Sequence, residues 1–189
     1  MAKQQDQRRS SKPVTKAYLE RAALHYLGRF SSTRANLIQV LERKIRRRNE
    51  ENSAPTTEQM EWADSVAEKC VAYGYVDDAL YARQRMAALL RKGKPLRVIA
   101  QDLRHKGVAD DIAQDAFAEA QEDPGKDLDL LAAASYMRRR RFGAFRRNLG
   151  TTDDKVEKEK AAMMRAGFPY KLVTEVMAAS EEDLLNLLP

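Results

Sequence analysis

The sequence predicts an all-α protein of three tandem three-helix repeats that form an elongated, curved molecule. Composition is the first reason: Ala supplies 28 residues and Leu 19, whereas Val and Ile together supply 14. Ala and straight side chains lose little freedom in a helix, and β-branched side chains lose more. The other two reasons are apolar residues at helical spacing from Thr15 onwards and an internal repeat. A chain of 189 residues can bury a core without a disulfide or a metal.

The internal repeat divides the chain into similar segments. At a shift of 60, five positions align: Leu103, Gly107, Val108, Ile112 and Phe117 with Met163, Gly167, Phe168, Leu172 and Met177. At a shift of 62, four more align: Leu24, Leu27, Arg29 and Leu41 with Met86, Leu89, Arg91 and Leu103. Chance similarity among short helices that end in Gly is the alternative. We predict a disordered basic arm at 1–14, repeats at 15–76, 77–123 and 124–180, and a tail at 181–189.

In the first repeat, two apolar stripes and a capping box predict three helices. The stripes lie within 19–30 and 37–45. Thr56 and Gln59 have the spacing of a capping box and start the third helix, which ends before Gly74. Asp77 or Asp78 is then expected to cap the next helix, and this interpretation is favoured over a pair of catalytic acids.

Gly and Pro mark the helix boundaries in the rest of the chain. One helix stops at Gly93, and Pro95 opens the next, which ends at Gly107 before another short helix. After a turn at 123–125, residues 126–141 are predicted helical and 142–152 a loop. The last two helices lie on either side of Gly167. The tail from residue 180 is either one more short helix or a frayed end.

Charge is dense and unevenly placed. The chain has 34 Lys and Arg against 28 acids, a net charge of +6. Residues 83–106 carry eight basic residues and one acid, 107–135 eight acids and one base, and 136–150 six arginines and no acid. Such blocks predict basic stripes that attract a polyanion or an acidic protein partner. A solvated face that only keeps a helical protein soluble is the alternative.

Several function classes are disfavoured. No apolar run is long enough to span a membrane, and the polar, basic N-terminus has no secretory h-region. The single cysteine, Cys70, fits a reducing cytoplasm. His25 and His105 lack a second ligand at metal spacing, and no nucleotide-binding loop or nucleophile motif occurs. We therefore expect a cytoplasmic protein with no enzymatic activity, cofactor or metal.

An arginine-rich segment is the sharpest candidate binding site. It contains Arg138, Arg139, Arg140, Arg141, Arg146 and Arg147, with Phe142 and Phe145 between them. Arg binds phosphates or carboxylates in a bidentate manner, and exposed Phe rings can stack on single-stranded bases. The alternative is that both Phe side chains belong to the core and the arginines only solvate a loop.

Two further basic sets are candidates for the same kind of contact. One is Lys92, Lys94, Arg97, Arg104 and Lys106, in which the two arginines are two helical turns apart on one face. The other is Arg46, Arg47 and Arg48 at a predicted helix C-terminus, where cations also offset the negative end of the helix. An exposed helix face is the alternative for the first set, and helix stability alone for the second.

The order of these motifs resembles the RecX family of regulatory proteins. Gly74-Tyr75-Val76-Asp77-Asp78-Ala79-Leu80-Tyr81-Ala82 is similar to a Gly-aromatic-x-Asp-Asp-x-x-aromatic-Ala stretch of that family, and Leu103-Arg104-His105-Lys106-Gly107-Val108 to its Leu-x-x-Lys-Gly-Ile. Residues 24–32 resemble its N-terminal part and 165–168 its last. Asn36 departs from the family, which usually has Glu there, and the loops at 43–55 and after 136 are longer.

The resemblance implies three three-helix repeats and a bacterial cytoplasmic modulator of the RecA recombinase, with roles in DNA repair, homologous recombination and the SOS response. Such proteins bind the RecA–single-stranded DNA filament in its groove and lower its ATPase, strand-exchange and co-protease activities. We expect a monomer whose basic sets contact the filament, and single-stranded or duplex DNA directly.

A helix-turn-helix-like protein that binds duplex DNA is the alternative function. Residues 99–117, with their Gly turn, have about the right pattern. However, the second helix of that pair would read the DNA, and residues 109–122 are acidic with no basic residue, which opposes approach to phosphates.

Overall fold

In a computed structural model of the chain, residues 13–121, 127–147 and 152–188 are described. Within these ranges the chain forms ten α-helices, two short 3-10 turns (Glu50–Asn52 and Gly143–Phe145) and no β-strand, which confirms the predicted all-α class. The helices are α1 Lys16–Leu27, α2 Arg34–Arg46, α3 Thr57–Ala72, α4 Asp78–Arg91, α5 Leu96–His105, α6 Asp110–Ala120, α7 Leu128–Arg140, α8 Asp153–Ala166, α9 Tyr170–Ala178 and α10 Glu181–Asn186. None of them is both long and apolar enough to cross a bilayer.

The chain divides into two compact units, of which unit 1 ends at Asp78. In unit 1, α1 and α2 both pack on α3. The core between them consists of aliphatic side chains, Ala and Cys70, among which Leu19, Leu37 and Leu41 are fully buried. Trp62 is partly buried against this core. Each of the three helices buries its apolar face in this core, and that burial stabilises helices that would be too short to be stable alone.

One of the helix starts in unit 1 confirms its prediction. Thr56 and Gln59 form the predicted capping box, because each side chain accepts the other residue's backbone N–H. Asp78 lies in the first turn of α4, and its carboxylate accepts the backbone N–H of Arg34 at 2.8 Å, which satisfies a free amide at the start of α2. Asp77 directly precedes α4, and its role as the cap of that helix stays a prediction.

Unit 2 begins at Ala79 and contains the other helices around one continuous core. In this unit α7 and α8 pack on α9, and α5 packs on α6 and α7. The central segment of α7, residues 131–137, is buried throughout. The short helix α10 belongs to the same core, since Leu184 is 1% exposed. The C-terminal tail is thus helical, one of the two outcomes predicted for it.

The helices follow the predicted repeat order, with α4–α6 after α1–α3 and α7–α9 after α4–α6. Leu103 and its counterpart Met163 are both fully buried, and each is followed by a Gly of positive φ at a helix end. The match at the start of the chain is weaker, because Leu24 is 50% exposed whereas Met86 is 4% exposed. The repeat boundaries themselves stay a prediction.

Some predicted segments lie outside the described residues. They are most of the basic arm, the turn at 123–125 and residues 148–151 of the arginine-rich loop. Of the arm, Pro13 and Val14 are described, and Val14 is buried in the core of unit 1.

Candidate nucleic-acid interface

The C-terminal turn of α7 presents three arginines to solvent. Arg138, Arg139 and Arg140 are exposed, whereas the seven residues before them are buried. Cations at a helix C-terminus are favoured by the partial negative charge of the unpaired carbonyls there. The Arg140 guanidinium lies 6.0 Å from the centre of the Tyr136 ring and 5.9 Å from that of Phe142. Arg139 and Arg140 therefore lie over aromatic rings that the core holds in position.

The fourth arginine adopts a backbone conformation that usually requires glycine. Arg141 has φ +59° and caps α7, with the next N–H bonded to the Met137 carbonyl at 3.0 Å. The ends of α3, α4, α5 and α8 have the same hydrogen-bond pattern, but there the left-handed residue is Gly74, Gly93, Gly107 or Gly167. A side chain in this conformation costs about 1 kcal/mol or more. The protein keeps an arginine at a position where glycine is more stable.

A buried carboxylate fixes the loop that follows. Glu159 of α8 accepts the backbone N–H of Gly143 at 3.0 Å and binds Arg146 through two guanidinium nitrogens at 2.5 to 3.0 Å. The Glu159 side chain is 6% exposed and that of Arg146 is 15% exposed. Burial is the largest influence on the pKa of Glu159 and raises it, but the bonds from Arg146 and Gly143 lower it below its ordinary value. Arg146 therefore holds the loop to α8 and is not available as a free cation.

The two phenylalanines of the loop are part of the core of unit 2. Phe142 and Phe145 are partly buried against the core, and the Phe142 ring meets Tyr136 edge to face with centroids 6.0 Å apart. This arrangement favours the core alternative over stacking on bases. Arg147 is exposed at the end of the described part of the loop.

Lys92 and Lys94 lie next to the same end of α7. Gly93, between them, is pressed against α7: a Cβ built on it would lie 2.4 Å from the backbone nitrogen of Tyr136. Only glycine permits this approach, and its φ of +65° also requires glycine. Because Tyr136 is one helical turn before Arg140, tertiary packing joins two basic sets that are more than forty residues apart in the sequence.

Arg91 was not among the binding residues predicted from the sequence. It lines a groove of about 570 Å³ together with Arg138 and Arg139, and the remaining wall is largely apolar. Its position directly before Lys92 was the available signal. We refer to the cluster Arg91, Lys92, Lys94 and Arg138–Arg141 as the basic ridge. Among the described residues, no acidic side chain forms an ion pair with any member of the ridge.

Arg97 and Arg104, expected to extend a basic stripe, have partners inside unit 2. The Arg97 guanidinium donates to the Gly167 carbonyl at 2.7 Å, at the C-terminal end of α8. Arg104 pairs with Asp110 at 3.3 Å, and both side chains are well exposed. An exposed pair contributes little to stability, so Arg104 can exchange this partner readily, whereas Arg97 connects two helices.

The third predicted set, Arg46, Arg47 and Arg48, lies in unit 1. Arg46 pairs with Glu42 one turn earlier at 2.8 Å, and the Arg48 guanidinium lies 4.0 Å from the centre of the Tyr18 ring. Arg47 is exposed at the C-cap of α2. Two of the three arginines thus have local stabilising contacts, in agreement with the stability alternative.

The sequence and the fold of this chain are similar to those of proteins from one known family. Residues 77–116 match the model of the second three-helix domain of RecX. The chain is 34% identical to the regulatory protein RecX of Myxococcus xanthus over 87% of this chain and 86% of the relative. It is 32% identical to that of Halorhodospira halophila, over 86% and 88%. The crystal structure of RecX from Lactobacillus salivarius shares the fold, with a TM-score of 0.58 at 22% identity over 90% of this chain and 97% of that one. The identity and coverage of these relatives show that the chain belongs to the RecX family of regulatory proteins.

Proposed function

We propose that this protein binds the RecA–single-stranded DNA filament through the basic ridge and lowers its ATPase, strand-exchange and co-protease activities. The family membership supports a regulatory role, and the resemblance described above supplies the partner. In this proposal the protein is a cytoplasmic monomer without catalytic activity. It acts in DNA repair, homologous recombination and the SOS response.

The observation that carries the proposal is the convergence of two cationic segments at one end of α7. The backbone at Gly93, between Lys92 and Lys94, approaches the helix that ends in Arg138–Arg141 closely. Ion pairs to acidic residues within the described chain do not neutralise these cations. A cluster of this kind gains free energy by releasing the counterions of a polyanion, and each guanidinium can bind a phosphate through two hydrogen bonds.

The duplex-binding alternative receives no support from α6, the helix that would read the DNA. Asp110, Asp111 and Asp115 are exposed along it. A helix with such a surface is repelled by the phosphates on both sides of the major groove. We therefore retain the filament as the target.

The test is the triple variant Arg138→Ala, Arg139→Ala, Arg140→Ala, titrated into RecA on single-stranded DNA while ATP hydrolysis is followed. We expect the protein concentration for half inhibition to rise by about tenfold. The salt dependence of filament binding should also become shallower by about 2 in log–log slope, because each lost phosphate contact removes about 0.7. The matched control is Lys155→Ala, Arg165→Ala, Lys171→Ala, which removes the same charge from exposed positions of α8 and α9.

Equal inhibition by the ridge variant and the wild type would reject the ridge as the binding surface. A wild-type protein that leaves RecA unaffected and selects one duplex sequence would reject the proposed function altogether.

A further inference from the structure

A groove in unit 2 combines an apolar floor with a cationic end. It lies between α4 and α7 and has a volume of about 570 Å³. Its floor includes Met86, Leu90, Leu128 and Leu131, each of which is at most 8% exposed. We call it the α4–α7 groove. The basic ridge forms only its rim, so the contacts proposed above leave the floor without a role.

The polarity of the groove changes along its length, because each of the two helices turns one face towards it. Leu128, Leu131, Ser135 and Arg138 of α7 line it at intervals of three or four residues, which places them on one face of that helix. On α4 the lining ends in Arg91, the last residue of the helix. The groove therefore extends for about 15 Å along α7, from an aliphatic end to a cationic end.

The cationic end has the charge to bind a dianion. Arg91, Arg138 and Arg139 line it, and among the described residues no acidic side chain lines the groove or pairs with them. The C-termini of α4 and α7 together place about one negative charge there, so the three guanidinium groups leave an excess of about two positive charges. A phosphate monoester carries about two negative charges at pH 7, and its oxygens accept bidentate hydrogen bonds from Arg.

The aliphatic end determines what such a phosphate is attached to. Among the described lining residues there is no aromatic ring, and Ser135 has the only hydroxyl group. A nucleobase or a peptide would leave its polar edges or amide groups unpaired against these walls, which costs free energy. An alkyl chain has no such groups and gains free energy in proportion to the apolar surface that it buries. The volume of the groove lies within the roughly 300–1,000 Å³ of sites for small molecules.

The recessed floor also favours a single chain over a lipid bilayer. Proteins that lie on a membrane insert an exposed apolar face into it. In the α4–α7 groove, the side chains of Leu90, Leu128 and Leu131 are buried, so they do not protrude from the surface. A dispersed alkyl chain can reach them, whereas the surface of a bilayer cannot.

We propose that the α4–α7 groove binds a single-chain alkyl phosphate, with the phosphate at Arg91, Arg138 and Arg139 and the chain along the aliphatic floor. The three arginines also belong to the basic ridge, so a bound alkyl phosphate competes with a polyanion for the same cations. This competition rests on the proposed function, whereas the binding of the alkyl phosphate does not.

The first test is a ligand series measured by isothermal titration calorimetry on the full chain. The probes are decyl phosphate, butyl phosphate, inorganic phosphate and decanol, all below the concentrations at which they form micelles. We expect one decyl phosphate to bind per chain, about tenfold more tightly than butyl phosphate, because the longer chain buries more apolar surface. Its binding should show a negative change in heat capacity. Decanol and inorganic phosphate, which each lack one half of the ligand, should bind more weakly still.

The second test fills the groove while all its arginines stay in place. Ala87→Phe acts from α4 and Ala120→Phe from the end of α6, and each should weaken decyl phosphate binding about tenfold. The matched control is Ala118→Phe, at an exposed position of α6 outside the groove, which should bind like the wild type. Arg91→Ala should weaken the binding of decyl phosphate and leave that of decanol unchanged. Circular dichroism checks the fold of each variant, and the ligand series on the wild type needs no variant.

Several outcomes would overturn the inference. Equal affinity for decyl phosphate and butyl phosphate would mean that the floor is unused, and equal affinity for decyl phosphate and decanol that the arginines are unused. Unchanged binding in both groove-filling variants would place the chain elsewhere. Binding only to vesicles of phosphatidylcholine and phosphatidic acid would assign the surface to a membrane. A protein that binds decyl phosphate but not the filament rejects the proposed function alone, whereas one that binds the filament but not decyl phosphate rejects this inference alone.

Discussion

Unit 1 and unit 2 use the same kind of three-helix repeat but differ in what they leave unpaired. In unit 1, Arg34 pairs with Asp64 and Glu68, and Lys69 pairs with Glu20, while Tyr73 and Tyr75 stay exposed. In unit 2 the aromatic side chains around α7 are largely buried, and the cations at its end have no acidic partner among the described residues. Arg34 and Lys69 in unit 1 are therefore neutralised locally, whereas the cations of the basic ridge in unit 2 are not neutralised by any described acidic residue.

The glycines at the helix ends of the two units also differ, in how closely other residues pack against them. A Cβ on Gly74 would meet nothing within 4 Å, whereas a Cβ on Gly93 would collide with the backbone of Tyr136. Both residues have positive φ, so both favour glycine for conformational reasons. Only Gly93 also permits a close contact between two helices.

The largest expected effect comes from Gly93→Ala. We expect it to lower the free energy of unfolding of unit 2 by roughly 4 kcal/mol, because overpacking adds to the strain of a left-handed residue. Gly74→Ala, the matched control in unit 1, should cost only about 1 kcal/mol. Urea unfolding measures both values. Similar losses in the two variants would contradict the close approach of the α4–α5 turn to α7.

The buried carboxylate of unit 2 provides the next largest effect. Glu159→Gln should destabilise the protein by about 3 kcal/mol, because it leaves the Arg146 guanidinium buried beside a neutral amide. Glu157→Gln, which breaks the exposed pair with Lys160, should change stability by less than about 0.5 kcal/mol.

The effect of Glu159→Gln should also depend on pH. The pKa of Glu159 is below its ordinary value in the folded state, so its contribution to stability is complete above the unfolded pKa and is lost as the pH falls through the folded pKa. The stability difference between wild type and variant should therefore shrink below about pH 4. A difference that stays constant from pH 7 to pH 3 would show that Glu159 acts by packing alone.

The smallest effect, and the sharpest test of the basic ridge, is Arg141→Gly. Glycine relieves the left-handed strain, so we expect a gain of about 1 kcal/mol in stability, measured by thermal unfolding. The same change should weaken filament binding several-fold and reduce the salt slope by about 0.7. A variant that is more stable and binds equally well would show that the arginine at this position has no role in binding.

The helices and their ends follow from local sequence. The capping box of Thr56 and Gln59 and the Gly residues after α3, α4, α5 and α8 were predictable. These features depend on backbone conformation and on residues three to six positions apart, which a sequence displays directly.

The site was predictable only in part, because side-chain partners come from distant segments. The sequence by itself determined the all-α class, the helix ends and the concentration of arginines after Tyr136. Tertiary structure decided that Arg146 is bound to Glu159 and Arg97 to Gly167, that Lys92 and Lys94 join the end of α7, and that α4 and α7 form a groove between them. Helix propensity is a local property, whereas burial and pairing depend on which surfaces the folded chain brings together.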